Sequence, residues 1–254
     1  MSAGVGIFSV KGGVGKSLVA VNLGTALAHH LGFPILVIDL QPCSGSDDLL
    51  LNVQPEHSWE DLLPVAGELS RQHVALGVER ITDSLDFLAA PQSFLGTDIT
   101  QEIGQSWEVL LAGLQDYYQF IIGDGYPVRD GDDLVLSCFD YVLLVVTPDG
   151  PALRATSRFL NGIEDKPLEI GVIINQWSSS SAVSPREAAE HLNCPLVGVL
   201  PIDPKAAWEN IHFGQPCVNS PRSRLGKSFR SLIPEFLHWT GNHPADRSEE
   251  TQDR

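Results

Sequence analysis

The stretch VKGGVGKSLV, residues 10 to 19, decides the fold of this chain. Its glycines, at positions 12, 13 and 15, stand just before Lys16 and Ser17. An apolar run, Val5–Val10, leads into it, and a helical pattern, Ser17–Leu31, follows. A strand, a glycine-rich loop and a helix in this order form a phosphate-binding loop, because glycines let backbone N–H groups converge on phosphate oxygens. The N-terminus of the helix adds partial positive charge at the same point.

The loop residues indicate how a nucleoside triphosphate would be held. We expect Lys16 to reach the β- and γ-phosphates and the Ser17 hydroxyl to ligate Mg²⁺. The sequence therefore predicts ATP and Mg²⁺ as ligands. The loop residues expected to contact the nucleotide are Gly12, Gly13, Val14, Gly15, Lys16, Ser17 and Leu18.

Short apolar runs alternate with amphipathic stretches along most of the 254 residues. This alternation predicts an α/β fold, doubly wound, with a mostly parallel sheet and helices on both faces. The predicted strands are Val5–Val10, Pro34–Leu40, Leu85–Ala90, Tyr118–Asp124, Tyr141–Thr147, Glu169–Asn175 and Leu196–Ile202. The predicted helices are Ser17–Leu31, Ile99–Gln115, Ala152–Gly162, Pro185–Leu192 and Pro204–Phe213.

The length suits one domain, which we place at residues 1–240. Residues 241–254 offer no apolar anchor, so we expect a disordered acidic tail there. Residues 44–84 show no regular pattern and are assigned only to helices and loops. The segment GKSFRSLIPEFLHW predicts a terminal helix whose apolar face docks on the domain, with Pro234 interrupting it.

Thirty-two acidic residues against sixteen basic ones give a net charge of −16. This charge argues against DNA and anionic lipid as direct partners, because both bind largely through Lys and Arg. The segment SPRSRLGKSFRSL could form a basic patch, although a solvated helix edge explains it as well. The four cysteines show no metal-ligand spacing, and neither a signal peptide nor a run of eighteen apolar residues is visible. We therefore expect a cytoplasmic protein.

Lys11 gives the loop a second lysine, five positions before Lys16. The usual pattern, G-x-x-x-x-G-K-[ST], has glycine where this chain has Val10. This variant resembles the deviant Walker A motif of the ParA/MinD family of P-loop ATPases, in which the early lysine crosses a dimer interface to the partner's nucleotide. The resemblance implies a homodimer with ATP between its subunits. It agrees with the chemistry, since a second buried ammonium needs a second anion.

The resemblance extends from residue 4 to about residue 238. Asp124, in FIIGDGYP, matches the acid of the family's Walker B strand, which holds the magnesium shell. Asn175 ends GVIINQ, where the family has an asparagine that hydrogen-bonds adenine; capping the following loop is the alternative role. The segment LVGVLPIDPKAAWENIHFGQP matches a family stretch that packs along the base, which adds Pro201, Ile202 and Asp203 to the expected nucleotide site.

One family position is changed here. The family has D-x-D after its second strand, whereas this chain has Asp39 followed by Gln41 at the second acid. The resemblance places Asp39 near the magnesium, so the expected metal ligands are Ser17, Asp39 and Asp124. It places Gln41 where a carboxylate would activate the attacking water. Glutamine cannot accept a proton, and loss of a general base typically costs about 10²–10⁴-fold in rate. The expected catalytic set is Lys11, Lys16, Asp39 and Gln41.

The resemblance implies an ATP-dependent dimerisation switch that hydrolyses ATP weakly and positions or regulates a partner assembly of unknown identity. FLAAP and VVTPDGPALRAT resemble the CpaE/TadZ branch, which localises pilus machinery at a cell pole. That branch implies recruitment to a pole or membrane site through a partner. Two alternatives stay open: an ATP-binding scaffold with essentially no hydrolysis, and a ParA-type DNA segregation ATPase.

Overall fold

The computed structural model describes residues 2–92, 102–129, 133–163 and 166–242. Within these residues eight strands form one sheet: β1 (Ala3–Ser9), β2 (Ile35–Asp39), β3 (Glu79–Thr82), β4 (Leu85–Leu88), β5 (Phe120–Pro127), β6 (Tyr141–Val146), β7 (Glu169–Trp177) and β8 (Leu196–Pro201). Their order across the sheet is β3-β4-β2-β5-β1-β6-β7-β8. Neighbouring strands are parallel except β3 and β4, which are antiparallel.

Helices cover both faces of the sheet. They are α1 (Lys16–Leu31), α2 (Asp47–Leu51), α3 (Trp59–Leu62), α4 (Arg71–Gly77), α5 (Glu102–Leu114), α6 (Asp133–Leu136), α7 (Gly150–Gly162), α8 (Pro185–Leu192), α9 (Pro204–Phe213) and α10 (Arg224–Trp239). Two short 3₁₀ helices, Leu63–Glu68 and Cys217–Asn219, join them. The predicted doubly wound, mostly parallel fold is confirmed.

The sheet separates two apolar cores. Helices α1 and α10 pack on one face, and α5, α7 and α8 pack on the other. Strand β2 is buried along its whole length, because its side chains alternate between the two cores. This double burial explains why the strands have continuous apolar runs rather than alternating patterns.

Residues 44–84 differ most from the sequence-based expectation. They hold three short α-helices, the 3₁₀ helix Leu63–Glu68 and the antiparallel edge strand β3, where the sequence predicted only helices and loops. The part of the predicted helix Ile99–Gln115 that lies before Glu102 and the expected tail from residue 243 onward fall outside the described residues. Within the described part of the chain, no helix combines the length and apolar character needed to cross a membrane.

The predicted interruption at Pro234 is wrong, since α10 runs through that residue. Pro234 lies on the exposed side of the helix. There, the carbonyl that loses its N–H partner can face water instead of the core. The docking of the helix is confirmed: its apolar residues Phe229, Leu232, Ile233, Phe236 and Leu237 are all buried.

The strand register brings acidic residues together at the carboxyl edge of the sheet. Asp39, the last residue of β2, pairs in register with Asp124 of β5, and Asp124 also pairs with Ile7 of β1. The phosphate loop begins directly after β1 at this edge. Ligands of doubly wound folds bind outside the carboxyl ends of the strands, so the fold places the sequence-predicted site where such a site belongs.

Candidate nucleotide-binding site

The loop between β1 and α1 has the backbone of a phosphate cradle. Gly13 and Gly15 have φ angles of 76° and 90°, a left-handed region that glycine enters without steric cost. The Ser9 hydroxyl donates to the carbonyl of Lys11 at 2.8 Å, which fixes the start of the loop. A Cβ added at Gly12 or Gly13 would meet nothing within 4 Å, so the loop faces open space. This space lies beside the N-terminus of α1, where an anion is stabilised.

Lys16 lies inside the site rather than on its surface. As the first residue of α1 it is only 7% exposed. Its positive charge lowers the pKa values of Asp39 and Asp124, against the larger effect of their burial. A buried ammonium can bind the phosphates of a nucleotide strongly, because little water is present to screen its charge.

Asp124 receives two hydrogen bonds on one of its oxygens. The Ser17 hydroxyl donates to Asp124 Oδ2 at 2.6 Å, and the Gln41 amide donates through Nε2 to the same oxygen at 2.7 Å. Gln41 also donates its backbone N–H to Asp39 Oδ1 at 2.8 Å. The structure therefore brings four predicted site residues, Ser17, Asp39, Gln41 and Asp124, into one hydrogen-bonded group.

The two carboxylates of this group are held away from water. Burial raises the pKa of Asp39 to about 6, and it raises the pKa of Asp124 to about 7 although the Ser17 hydrogen bond opposes it. Burial raises a carboxyl pKa because the low dielectric penalises the charged form. A cation placed here would stabilise both carboxylates in their ionised state.

The donor set fits magnesium. Asp124 Oδ1 is buried and has no hydrogen-bond partner within the described residues, so it has a lone pair available. Carboxylate and hydroxyl oxygens are the ligands that a hard cation prefers. Among the described residues, no three His, Cys, Asp or Glu side chains converge into a complete metal cage. Mg²⁺ rarely needs such a cage, since it keeps several waters and uses substrate phosphates as ligands.

Asn175 lies against the phosphate loop. Its side-chain Nδ2 donates to the carbonyl of Val14 at 2.7 Å, and the residue is 5% exposed. A Cβ on Gly15 would lie 2.7 Å from that nitrogen, so only glycine allows the contact. Asn175 thus supports the loop through its amide N–H, which leaves its amide oxygen for the predicted adenine contact. Among the described residues, the Asn175 side chain donates to the phosphate loop rather than to the loop that follows β7.

The segment after β8 has a structural role that its motif did not reveal. Asp203 caps α9 by accepting from Ala206 N, and its Oδ2 accepts from the Ser223 hydroxyl and from the backbone N–H groups of Arg224 and Leu225. Burial opposes ionisation of Asp203, but these hydrogen bonds outweigh it and lower its pKa. Its carboxylate is therefore committed to joining α9 with α10, whereas Pro201 is half-buried and Ile202 is exposed nearby.

Lys11 is placed very differently from Lys16. Its side chain is 51% exposed, and its Nζ lies 3.6 Å from Asp149 Oδ1 at the mouth of the loop. Asp149 is also the N-cap of α7 and accepts from Ala152 N at 3.0 Å. Sequence reasoning missed Asp149, although a Pro-Asp-Gly sequence at the end of a strand is a signal for a helix cap.

The second residue that sequence reasoning missed is Asp47, the first residue of α2. It is completely buried, and neither carboxylate oxygen has a hydrogen-bond partner within the part of the chain that the structure describes. The largest charge effects on its pKa come from Asp124 and Asp39. Its position eight residues after Asp39, in a stretch without periodicity, gave little sign that it would face the site.

Comparison with known proteins bears on the family and the fold of the chain. The family model described as CobQ/CobB/MinD/ParA nucleotide binding domain matches residues 5–212. The septum site-determining protein MinD of Bacillus subtilis is 26% identical over 246 residues, which cover 93% of this chain and 90% of that protein.

Two solved structures have the same fold. The cell division ATPase MinD of Pyrococcus furiosus superposes with a TM-score of 0.79 at 26% identity, covering 94% of this chain and 99% of that one. The septum site-determining protein MinD of Pyrococcus horikoshii, solved with Mg-ADP, superposes with a TM-score of 0.77 at 24% identity, covering 95% and 98%. The chain is thus similar over nearly its whole length to P-loop proteins of one family.

Proposed function

Since the chain belongs to the CobQ/CobB/MinD/ParA nucleotide binding domain family, we propose that it is a Mg-ATP-dependent dimerisation switch. In this proposal ATP binds at the phosphate loop, and two copies of the chain close over two nucleotides. The dimer then binds a protein partner, which it positions or regulates. Release follows slow hydrolysis of the ATP.

The contrast between the two loop lysines carries this proposal. Lys16 is buried among carboxylates and can serve the chain's own nucleotide, whereas Lys11 is half exposed at the mouth of the loop. An exposed ion pair contributes only about 0–1 kcal/mol, so Lys11 can leave Asp149 when a better anion arrives. The phosphate of a nucleotide on a second copy is such an anion.

Ser17, Asp39 and Asp124 would hold Mg²⁺. When bound, the ion supplies positive charge to the phosphate oxygens. The chain's own contribution is to keep these oxygens in place: Ser17 and Gln41 orient Asp124 by donating to its Oδ2. The backbone of Gln41 orients Asp39 in the same way. Pro201, Ile202 and the free oxygen of Asn175 are left for the base.

Slow hydrolysis follows from the chemistry of Gln41. Its amide cannot take a proton from water near neutral pH, and its Nε2 already donates to Asp124. A scaffold that binds ATP with essentially no hydrolysis is therefore the second candidate. The two candidates differ only in turnover, so a single-turnover ATPase measurement separates them.

The partner belongs to the same proposal. The FLAAP and VVTPDGPALRAT segments suggest polar or pilus machinery as the cargo, and a partner would bring the chain from the cytoplasm to that site. Binding of DNA by a ParA-type dimer has less support, because the net charge is −16. In the basic segment, Arg224 and Arg230 donate to the backbone carbonyls of Ile202 and Val218.

Light scattering with ATP, with ADP and without nucleotide tests the switch. We expect a dimer only with Mg-ATP. Lys11→Ala should still bind Mg-ATP but stay monomeric, because it lacks the charge that crosses to the second nucleotide. Lys205→Ala is the matched control: it removes another exposed lysine, which pairs with Glu209 at 3.8 Å on α9, and it should dimerise normally. A dimer that forms without ATP, or that ignores Lys11, would contradict the proposal.

A further inference from the structure

Asp47 is the one buried carboxylate at the site that the proposed function does not use. It is 0% exposed, and both of its oxygens lack hydrogen-bond partners within the described ranges. An ionised carboxylate in this condition is strongly destabilising unless a charge compensates it. The remaining orphaned side-chain atom of the same kind is Asp124 Oδ1. Three unpaired carboxylate oxygens therefore belong to two neighbouring acids.

The chain between Gln41 and α2 is built to place Asp47 at the site. Gly45 donates to the carbonyl of Gln41 at 2.8 Å, and a Cβ on Gly45 would lie 1.9 Å from Asp39 Oδ2. The turn thus packs directly on Asp39, and the backbone N–H of Asp47 lies near the Asp39 carboxylate, whose pKa it lowers.

Helix α2 is also fixed from its other end. Asn210 of α9 donates through Nδ2 to the carbonyl of Leu50 at 2.8 Å, and it accepts from Asn22 of α1 at 2.7 Å. Both asparagines are fully buried. This network ties α2 to the helix that carries Lys16, so the position of Asp47 relative to the phosphate loop is set by the fold.

The charges at the site do not balance within the described residues. The charges of Asp124, Asp39 and Asp48 act on Asp47, and Lys16 is the cation that acts on Asp39, Asp47 and Asp124. Acidic side chains therefore outnumber the one ammonium at this point, and a divalent cation would reduce the excess of negative charge.

We propose that Asp47 is a third acid of the magnesium site and supplies the negative charge that Gln41 does not. This inference rests on the proposed function, since it assigns a residue to the same Mg²⁺. No three His, Cys, Asp or Glu side chains of the described residues form a group that could hold a metal ion, so Ser17, Asp39 and Asp124 would hold the ion and Asp47 would support it indirectly. Groups that hold a bound metal in this indirect way typically contribute about 10- to 100-fold to its affinity.

Mn²⁺ binding, measured by electron paramagnetic resonance with and without ADP, tests the assignment. Asp47→Asn keeps the shape and removes the charge, and we expect Mn²⁺ affinity to fall by about 10- to 100-fold. Asp83→Asn is the control, because it removes the same charge from an exposed residue of the turn between β3 and β4, which has no named effect on Asp39, Asp47 or Asp124. It should change Mn²⁺ affinity by less than about 3-fold. Equal affinities in wild type and Asp47→Asn would overturn the inference.

Thermal unfolding in EDTA gives a second readout that does not depend on activity. If Asp47 is an uncompensated charge in the metal-free protein, Asp47→Asn and Asp47→Leu should both unfold at a higher temperature than wild type in EDTA. Both should also gain less from added Mg²⁺. If the two variants instead lose stability equally with and without Mg²⁺, Asp47 has a purely structural role and the inference is overturned.

The same measurements distinguish this inference from the proposed function. A wild-type protein that binds Mn²⁺ through Asp47 but no ATP would refute the nucleotide switch and leave the metal assignment standing. If wild type and Asp47→Asn bind Mg-ATP with the same dependence on the metal, the nucleotide switch stands and the metal assignment of Asp47 is refuted. ATP titrated by calorimetry in Mg²⁺ and in EDTA, on wild type and Asp47→Asn, provides both comparisons.

Discussion

The interior of the phosphate loop and its outer rim each carry one lysine, and the two lysines differ in burial and in the charges around them. Lys16 is 7% exposed and acts on three buried acids, whereas Lys11 is 51% exposed and forms one ion pair at 3.6 Å. Both belong to one short motif. In the proposed switch both lysines meet phosphate, and burial distinguishes the lysine that serves the chain's own nucleotide from the one that serves the second copy.

The same reasoning separates the acids. Asp203 accepts hydrogen bonds from Ala206, Ser223, Arg224 and Leu225, and Asp47 accepts none within the described chain. A carboxylate saturated by protein donors holds the fold together, and one without donors is available to a ligand. By this measure the hydrogen bonds of Asp203 join α9 to α10, and Asp47, which no motif marked, is the acid that we propose for the site.

The largest effect should come from the interior lysine. Lys16→Ala removes the ammonium that we assign to the β- and γ-phosphates, so Mg-ATP affinity should fall by about 100- to 1000-fold, as expected when one partner of a buried charge pair is deleted. Calorimetry measures this directly. Lys11→Ala, tested at a concentration where the protein is monomeric, should bind almost normally. If the two variants lose similar amounts of Mg-ATP affinity, the buried and the exposed lysine do not have the separate roles proposed for them.

A smaller effect is expected from changing Gln41, which stands where the family has a second acid. Gln41→Asp restores a carboxylate beside Asp39 and Asp124, where water activation is proposed to fail, and turnover should rise by about 10-fold or more. Single-turnover hydrolysis under saturating Mg-ATP checks this. Gln41→Asn, which shortens the side chain but keeps the amide, is the matched control and should not gain. Brisk wild-type turnover would show that another group already supplies the base.

Much of this architecture could be predicted from the sequence, for a physical reason. Strands buried on both faces need unbroken apolar runs, so β2 and β6 stand out, and the phosphate loop needs its glycines at fixed positions. The helices Pro185–Leu192 and Pro204–Phe213 begin at proline and match the prediction at both ends. Each of these features depends on residues that are close together in the sequence, so the sequence alone reveals them.

What the sequence did not reveal depends on tertiary contacts. The short helices of residues 44–84 have too few residues for a periodic pattern, and β3 is an edge strand held by one neighbour. Asp47 and Asp149 reach the site only because their turns fold back onto Asp39 and Lys11. The continuity of α10 through Pro234 likewise follows from an apolar face that packs against the domain, which outweighs the loss of one backbone hydrogen bond.

The smallest expected effect comes from Asp149, the ion-pair partner of Lys11 at the rim of the loop. Asp149→Asn keeps an N-cap for α7, since asparagine caps about as well as aspartate, but it removes the charge that holds Lys11 in the free chain. Breaking an exposed ion pair changes the free energy by about 0–1 kcal/mol. ATP-dependent dimerisation should therefore tighten by at most about 5-fold, measured by light scattering across a concentration series. In a Lys11→Ala background the same substitution should have no effect, because the lysine that it frees is absent. If Asp149→Asn instead weakens the dimer, then Asp149 contributes to the dimer interface, and Lys11 does not have to leave it when ATP binds.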